Sequence, residues 1–411
     1  MCSSFQNVPT PQKLAALFLA AATIASCGCG GGSGSTSIVT TANTSLPINF
    51  ASVPAVVAEK IGDGSWAAAT PEGSTLTLSL PPEVNSYGIA YICPLALGSY
   101  ESITEATVAD NLTSVPGCPN GVPTTASLSG SVDASAISGV GQIVVDAAGG
   151  IQILAGNAGT FAVTAQTGTD DIAFLAEDLS GNLLGVKILR SQTVPGVLNN
   201  GNAVSFSASD ATTFEPLTAT NIPPGFNIEL PGMASYSTAN GTNFALNNVA
   251  GTQYAVVPSS EAQATDDYRF SVSYAEPHSL VLSELTATSA GAISLALPVA
   301  LSYSAPAPGP FPAFSFNYSG TGVNDYYLNL FWENPQGDGL SSIVVRATVA
   351  YQAGATSLAV PDLSSIPGFL APAGSGALMN WSASVVGGTT GQPGGSDAIW
   401  NAEIFGSYIE P

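Results

Sequence analysis

The chain has 411 residues, of which 45% are hydrophobic and only 8% charged, with 28 acids against 6 bases and a formal net charge of -22. Soluble domains are on average about a quarter charged, so Ser, Thr, Asn and Gly must cover most of this surface. Beyond Lys13 the only cations are Lys60, Lys187, Arg190, Arg269 and Arg346. That excludes a phosphate-neutralising patch, and with it nucleic acid as a partner or electrostatic docking on anionic lipid.

The first element is an apolar run over residues 14–24, preceded by Lys13. It is too short to span a bilayer and fits the core of a secretory signal. The run ends in Ile24-Ala25-Ser26-Cys27, which resembles the lipobox of bacterial lipoproteins. The resemblance implies a signal peptide over 1–26, cleavage before Cys27, and acylation of the Cys27 sulfur. Membrane lipid is then a partner, because two or more acyl chains anchor a protein stably. The alternative is ordinary cleavage near Ser26, which leaves Cys27 and Cys29 as thiols. Residues 28–37 are Gly- and Ser-rich and read as the flexible part of a tether over 27–46. Gly28 follows the lipobox cysteine where retention at an inner membrane commonly uses Asp, so the resemblance points to the outer membrane or cell surface.

Over the whole chain, a mean hydropathy of +0.32 is high enough to offset ordering entropy. The 44 Gly and 29 Pro, with short Val, Ile, Thr and aromatic runs between turn residues, predict an all-β chain of tandem antiparallel β-sandwich domains. In chain order, Ser74–Leu80 is a strand with Leu76, Leu78 and Leu80 on one face, and Ser86–Cys93 is another. Helix, if present, is confined to short stretches such as Tyr100–Leu112, where Ile103, Thr107 and Val108 could share a face. Cys93 and Cys118 are a predicted disulfide, for which chain entropy gives roughly 3 to 4 kcal/mol. Ile172–Leu189 reads as a hairpin turning at Asp178–Asn182, where Gly181 and Asn182 tolerate positive φ. Pro-rich breaks at 119–123, 215–225 and 305–313 divide the body into β-units over 47–122, 123–215 and 216–304, a linker over 305–313, and a last β-unit over 314–411.

Within the second unit, Ser127–Val132, Gly141–Asp146, Gly159-Thr160-Phe161 and the following hairpin resemble the small immunoglobulin-like or carboxypeptidase-regulatory-like sandwich of bacterial surface proteins. The resemblance implies a packing module and carries no functional residues.

Catalytic machinery is not predicted. His278 is the only histidine, in Glu276-Pro277-His278-Ser279, and no G-x-S-x-G elbow accompanies it; it reads as a surface turn residue. One histidine and a cystine cannot build a four-ligand zinc site, and phosphate-loop and dinucleotide fingerprints are missing, so neither a metal nor a cofactor is expected. Asp170-Asp171, Asp266-Asp267 and Glu101/Glu105 read as solvated turn acids, ahead of calcium ligands or a glycosidase pair. In Tyr326–Trp332, alternation places Tyr326, Leu328, Leu330 and Trp332 on one face and Tyr327, Asn329 and Phe331 on the other. If the first set is core, Tyr327, Asn329 and Phe331 are a candidate platform for stacking on sugar rings; the alternative is a strand buried on both faces. Trp66, Trp381 and Trp400 read as core anchors. The expected function is a lipid-anchored envelope protein acting as a non-catalytic binding or adhesion module for a glycan or envelope protein. A surface glycan-processing enzyme using a carboxylate pair and a purely structural spacer are the alternatives.

Overall fold

A computed structural model describes residues 43–95, 98–118, 124–198, 202–246, 252–304, 306, 309, 311–333, 340–370, 376–389 and 397–409. The lipobox and its cysteine, the tether up to residue 42, the break at 119–123 and most of the Pro-rich linker lie outside them; the last residues of the expected tether, from Thr44 to Leu46, are strand rather than flexible chain. The described chain is built of β-strands, as expected, and helix is limited to short turns such as Val108–Asp110 and α1 (Val349–Gln352).

Twelve strands form one long sheet: β1 (Val56–Ile61), β2 (Ala67–Ala69), β3 (Ser86–Leu95), β4 (Gly98–Thr107), β5 (Asn227–Ser237), β6 (Asn243–Ala245), β7 (Asp267–Glu276), β8 (Ser279–Ala287), β9 (Val323–Glu333), β10 (Leu340–Thr348), β11 (Leu378–Thr389) and β12 (Asp397–Ile409). Their order is β6-β5-β7-β8-β12-β11-β9-β10-β4-β3-β1-β2. Every neighbour pair is antiparallel except β10 and β4, which run parallel from Leu340 beside Gly98 to Ala347 beside Glu105. This pairing stitches the N-terminal and C-terminal units together, so three of the four expected segments share one hydrogen-bonded sheet.

Smaller sheets close the cores. Thr44–Phe50, Thr75–Leu80 and Ser114–Val115 pack on the outer face over β3, and Leu76, Leu78 and Leu80 point into that core as their alternation requires. Two further three-stranded sheets cover the inner face. One is centred on Thr213–Thr220 and the other on Ala313–Asn317. The segment from 124 to 205 folds as two sheets packed face to face, with Phe161 and Phe174 edge to face at 5.4 Å in the core between them. Its hairpin, Gly168–Glu177 with Leu183–Val194, turns as the sequence dictates: Asp178 accepts from the backbone N–H of Ser180 and Asn182, and Gly181 has φ +83°.

Cys93 and Cys118 lie at disulfide distance, with Cα atoms 5.0 Å apart across a sequence separation of 25. Tyr100–Leu112, the stretch named as able to form helix, is mostly strand. Residues up to Thr107 are strand β4, and only Val108–Asp110 coils. The operative period is two: Glu101, Ile103 and Glu105 face the inner side, while Tyr100, Ser102, Thr104 and Ala106 face the outer side. Both sides are covered, so the apolar alternation that normally marks a strand is blurred.

Candidate functional site

Strand β9 lies near the middle of the long sheet. Leu328 and Leu330 are fully buried and Trp332 nearly so on its inner face, each such side chain contributing roughly 1.5 to 3 kcal/mol by leaving water. Tyr327, Asn329 and Phe331 take the outer face and are half-buried. Registry spreads this row across its neighbours. Tyr327 stands opposite Arg346 and Ser384, Asn329 opposite Val344 and Ser382, and Phe331 opposite Ser342 and Asn380. One strand further, Ser384 and Ser382 meet Glu403 and Phe405. The Asn329 amide donates to Ser382 Oγ at 3.0 Å. Asp325 grips the Arg346 guanidinium with both oxygens, at 3.0 and 3.1 Å, holding it beside Tyr327, and burial pushes the Tyr327 phenol well above its ordinary range. Glu403 is 5% exposed, and its Oε2 meets no partner among the described residues. Burial raises its carboxyl to about 7 against a hydrogen bond with Ser382.

The acids singled out by adjacency are not solvated turn residues. Asp170, Asp171, Asp266, Glu101 and Glu105 are all buried, and only Asp267 is half-exposed. Asp171 sits at a bulge in the hairpin, where Arg190 and Ser191 together oppose it and Ser191 adopts φ +52°. The Ser191 N–H then donates to Asp171 Oδ1 at 2.7 Å and Arg190 reaches Oδ2 at 3.3 Å. Burial would raise the Asp171 carboxyl, but the hydrogen bonds from Asn240 and Ser191 and the Arg190 charge hold it below its ordinary value. The same guanidinium takes Asp266 with two bonds, 3.0 and 2.7 Å, and the Tyr236 hydroxyl donates to that carboxylate at 2.7 Å. Lys187 bridges Glu261 at 2.9 Å and Asp210 at 3.4 Å. These cations therefore clamp the 123–215 unit to the 216–304 unit. Among the described residues no three His, Cys, Asp or Glu side chains converge as a metal site. His278 is exposed in a two-residue hairpin turn between β7 and β8, where the surface-turn reading puts it.

A cleft of about 390 Å³ opens between the first and last units, lined by Lys60, Trp66, Glu105, Tyr351 and Gln352 among others. Lys60 Nζ lies 3.0 Å from Glu105 Oε1 and donates to the Tyr351 hydroxyl at 3.0 Å, and that hydroxyl donates to Glu105 Oε1 at 2.9 Å. The ammonium sits 6.0 Å from the Trp66 ring centre and 5.7 Å from that of Tyr351. Burial alone would lower the Lys60 ammonium, but Tyr351 and Glu105 outweigh it and hold it above the ordinary lysine range. Thr348 caps α1 by accepting from the Tyr351 N–H at 3.2 Å. Trp66 lies against β3 because residue 88 is glycine; a Cβ there would stand 2.5 Å from its ring.

Trp66 is therefore a half-buried cleft wall rather than a core anchor, whereas Trp381 is buried in the core as expected. Trp400 is half-buried and stacks on Tyr318 at 5.3 Å. Sequence reasoning missed the cleft. The available signal was Lys60 itself, one of few cations, set in an apolar strand. No protein-family model matches the chain, and no curated protein matches it in sequence.

Proposed function

We propose that this chain is a lipid-anchored envelope protein, tethered through Cys27, whose β-body is a non-catalytic binding module. The observation that carries the binding role is the outward row Tyr327, Asn329 and Phe331 on a central strand of the long sheet. Two aromatic side chains four residues apart on one face stand about 13 Å from each other, with an amide between them, which suits stacking along a short stretch of surface glycan. Binding is favoured over glycan hydrolysis because Asp171 and Asp266 are held by the same guanidinium, and Glu105 by Lys60 and Tyr351. A hydrolytic pair needs one carboxyl free to carry a proton and one free to attack or to activate water. Anchoring rests on the lipobox residues.

Two experiments test this reading. Glycan-array binding by the full-length protein is expected to fall at least about tenfold in Tyr327→Ala/Phe331→Ala, with thermal stability measured alongside. Unchanged binding turns the protein into a spacer or moves its site elsewhere. Fractionation with protease shaving of intact cells is expected to show wild type on the membrane and Cys27→Ala released. Equal solubility of both would remove the anchor.

A further inference from the structure

We infer that the cleft between the first and last units is a second binding site, separate from the β9 row, and that it takes a neutral hydroxylated ring such as a pyranose or cyclic polyol. Charge sets the class. Lys60 and Glu105 neutralise one another at 3.0 Å inside the cleft. An anionic ligand would have to draw Lys60 away from Glu105 within a chain carrying 28 acids against 6 bases. A cationic ligand would compete with Lys60 for the same carboxylate.

Hydrogen-bonding capacity sets the functional groups. An ammonium has three hydrogens, and the Lys60 ammonium directs bonds to Glu105 Oε1 and to the Tyr351 hydroxyl, which itself donates to Glu105 Oε1. A third ammonium donor and the carboxylate's Oε2 can then engage adjacent hydroxyls, one accepting and the next donating. A vicinal diol has that pattern. The apolar face of the same ring meets Trp66, which Gly88 lets lie against the sheet. Ser357 and Gln352 add polar groups to the lining. A volume of about 390 Å³ fits one ring or two.

The test titrates the full-length protein with glucose, galactose, N-acetylglucosamine, cellobiose and myo-inositol, followed by calorimetry and tryptophan fluorescence. At least one is expected to bind with a Kd of about 10 μM to 10 mM, and glucuronate and glucosamine at least about tenfold more weakly than the best neutral ring. Trp66→Ala and Glu105→Gln should each weaken that binding at least about tenfold, while Tyr327→Ala/Phe331→Ala leaves it unchanged, so this site and the β9 row stand or fall separately. Should Glu105→Gln fail to fold, Ser357→Trp, which fills the cleft from its exposed wall, replaces it and is expected to abolish binding. The inference is overturned if no neutral ring binds up to about 50 mM, if binding survives both Trp66→Ala and Ser357→Trp, or if a charged ring binds more tightly than every neutral one.

Discussion

Replacing Glu403 by glutamine should make the protein more stable at neutral and alkaline pH but not in acid. The carboxyl is 5% exposed on the outer side of β12, its Oε2 is unpartnered among the described residues, and burial lifts it from the ordinary 4.5 to about 7. A raised carboxyl means that the folded state prefers the protonated form. Its stability contribution is fully present below about 4.5, declines as the unfolded chain ionises first, and is lost once the pH has risen through about 7. A gap of about 2.5 pH units at 1.36 kcal/mol each puts that loss near 3 kcal/mol. The glutamine amide keeps the shape and stays neutral at every pH. Urea unfolding followed by circular dichroism at pH 4.5, 6, 7 and 8 should give matching midpoints for Glu403→Gln and wild type in acid. A gain for the variant should open above about pH 4.5, be more than half developed by pH 6 and level off above pH 7, approaching about 3 kcal/mol. A pH-independent difference, or a variant weaker than wild type at pH 8, would refute the idea that this buried carboxyl is ionised against its surroundings.

Other substitutions probe other parts of the molecule. Arg190→Met should cost about 3 to 5 kcal/mol in urea unfolding, because it strands Asp171 and Asp266 in a buried site; Arg190→Lys should recover only part, since a single ammonium cannot reproduce the two-pronged grip on Asp266. Gly88→Ala should displace Trp66, giving a red-shifted tryptophan emission and a loss of about 1 to 3 kcal/mol. Removing the cystine as Cys93→Ser/Cys118→Ser should lower stability by roughly 3 to 4 kcal/mol in non-reducing denaturation, and reductant should bring wild type to the same midpoint.

Local signals were legible and distant ones were not. The hairpin around Asp178–Asn182 could be read from sequence because its strands, its turn and its side-chain cap all lie within one short segment. Leu76, Leu78 and Leu80 likewise declare their face by alternation alone. The segment from Tyr100 was misread because one of its covering strands lies far away in β10, and an acidic, small-residue strand covered on both sides shows no apolar period. Burial of the acids was hidden for a related reason. Glu101 receives its backbone donor from Leu370, 269 residues on, and Arg190 reaches Asp266 across 76 residues. Alternation separated the two sides of β9 but left open whether one or both were covered, whereas the cleft unites Lys60 and Tyr351 from positions 291 residues apart.

The parallel seam between β4 and β10 also fixes an order of events during biosynthesis. The first unit has both β3 and β4 in hand once its own residues have emerged, but the partner for the free side of β4 arrives only with Leu340–Thr348. Until then β4 is an unpaired edge, the kind of strand that recruits the wrong neighbour. Its sequence carries Glu101 and Glu105, which are hydrated and negatively charged while the edge waits, and like charges on a nascent strand repel a second copy. Completion of the sheet then buries both carboxylates, one against the Leu370 N–H and the other between Lys60 and Tyr351. Neutralising Glu101 and Glu105 should therefore show first as poor yield of soluble protein, before any change in the mature fold.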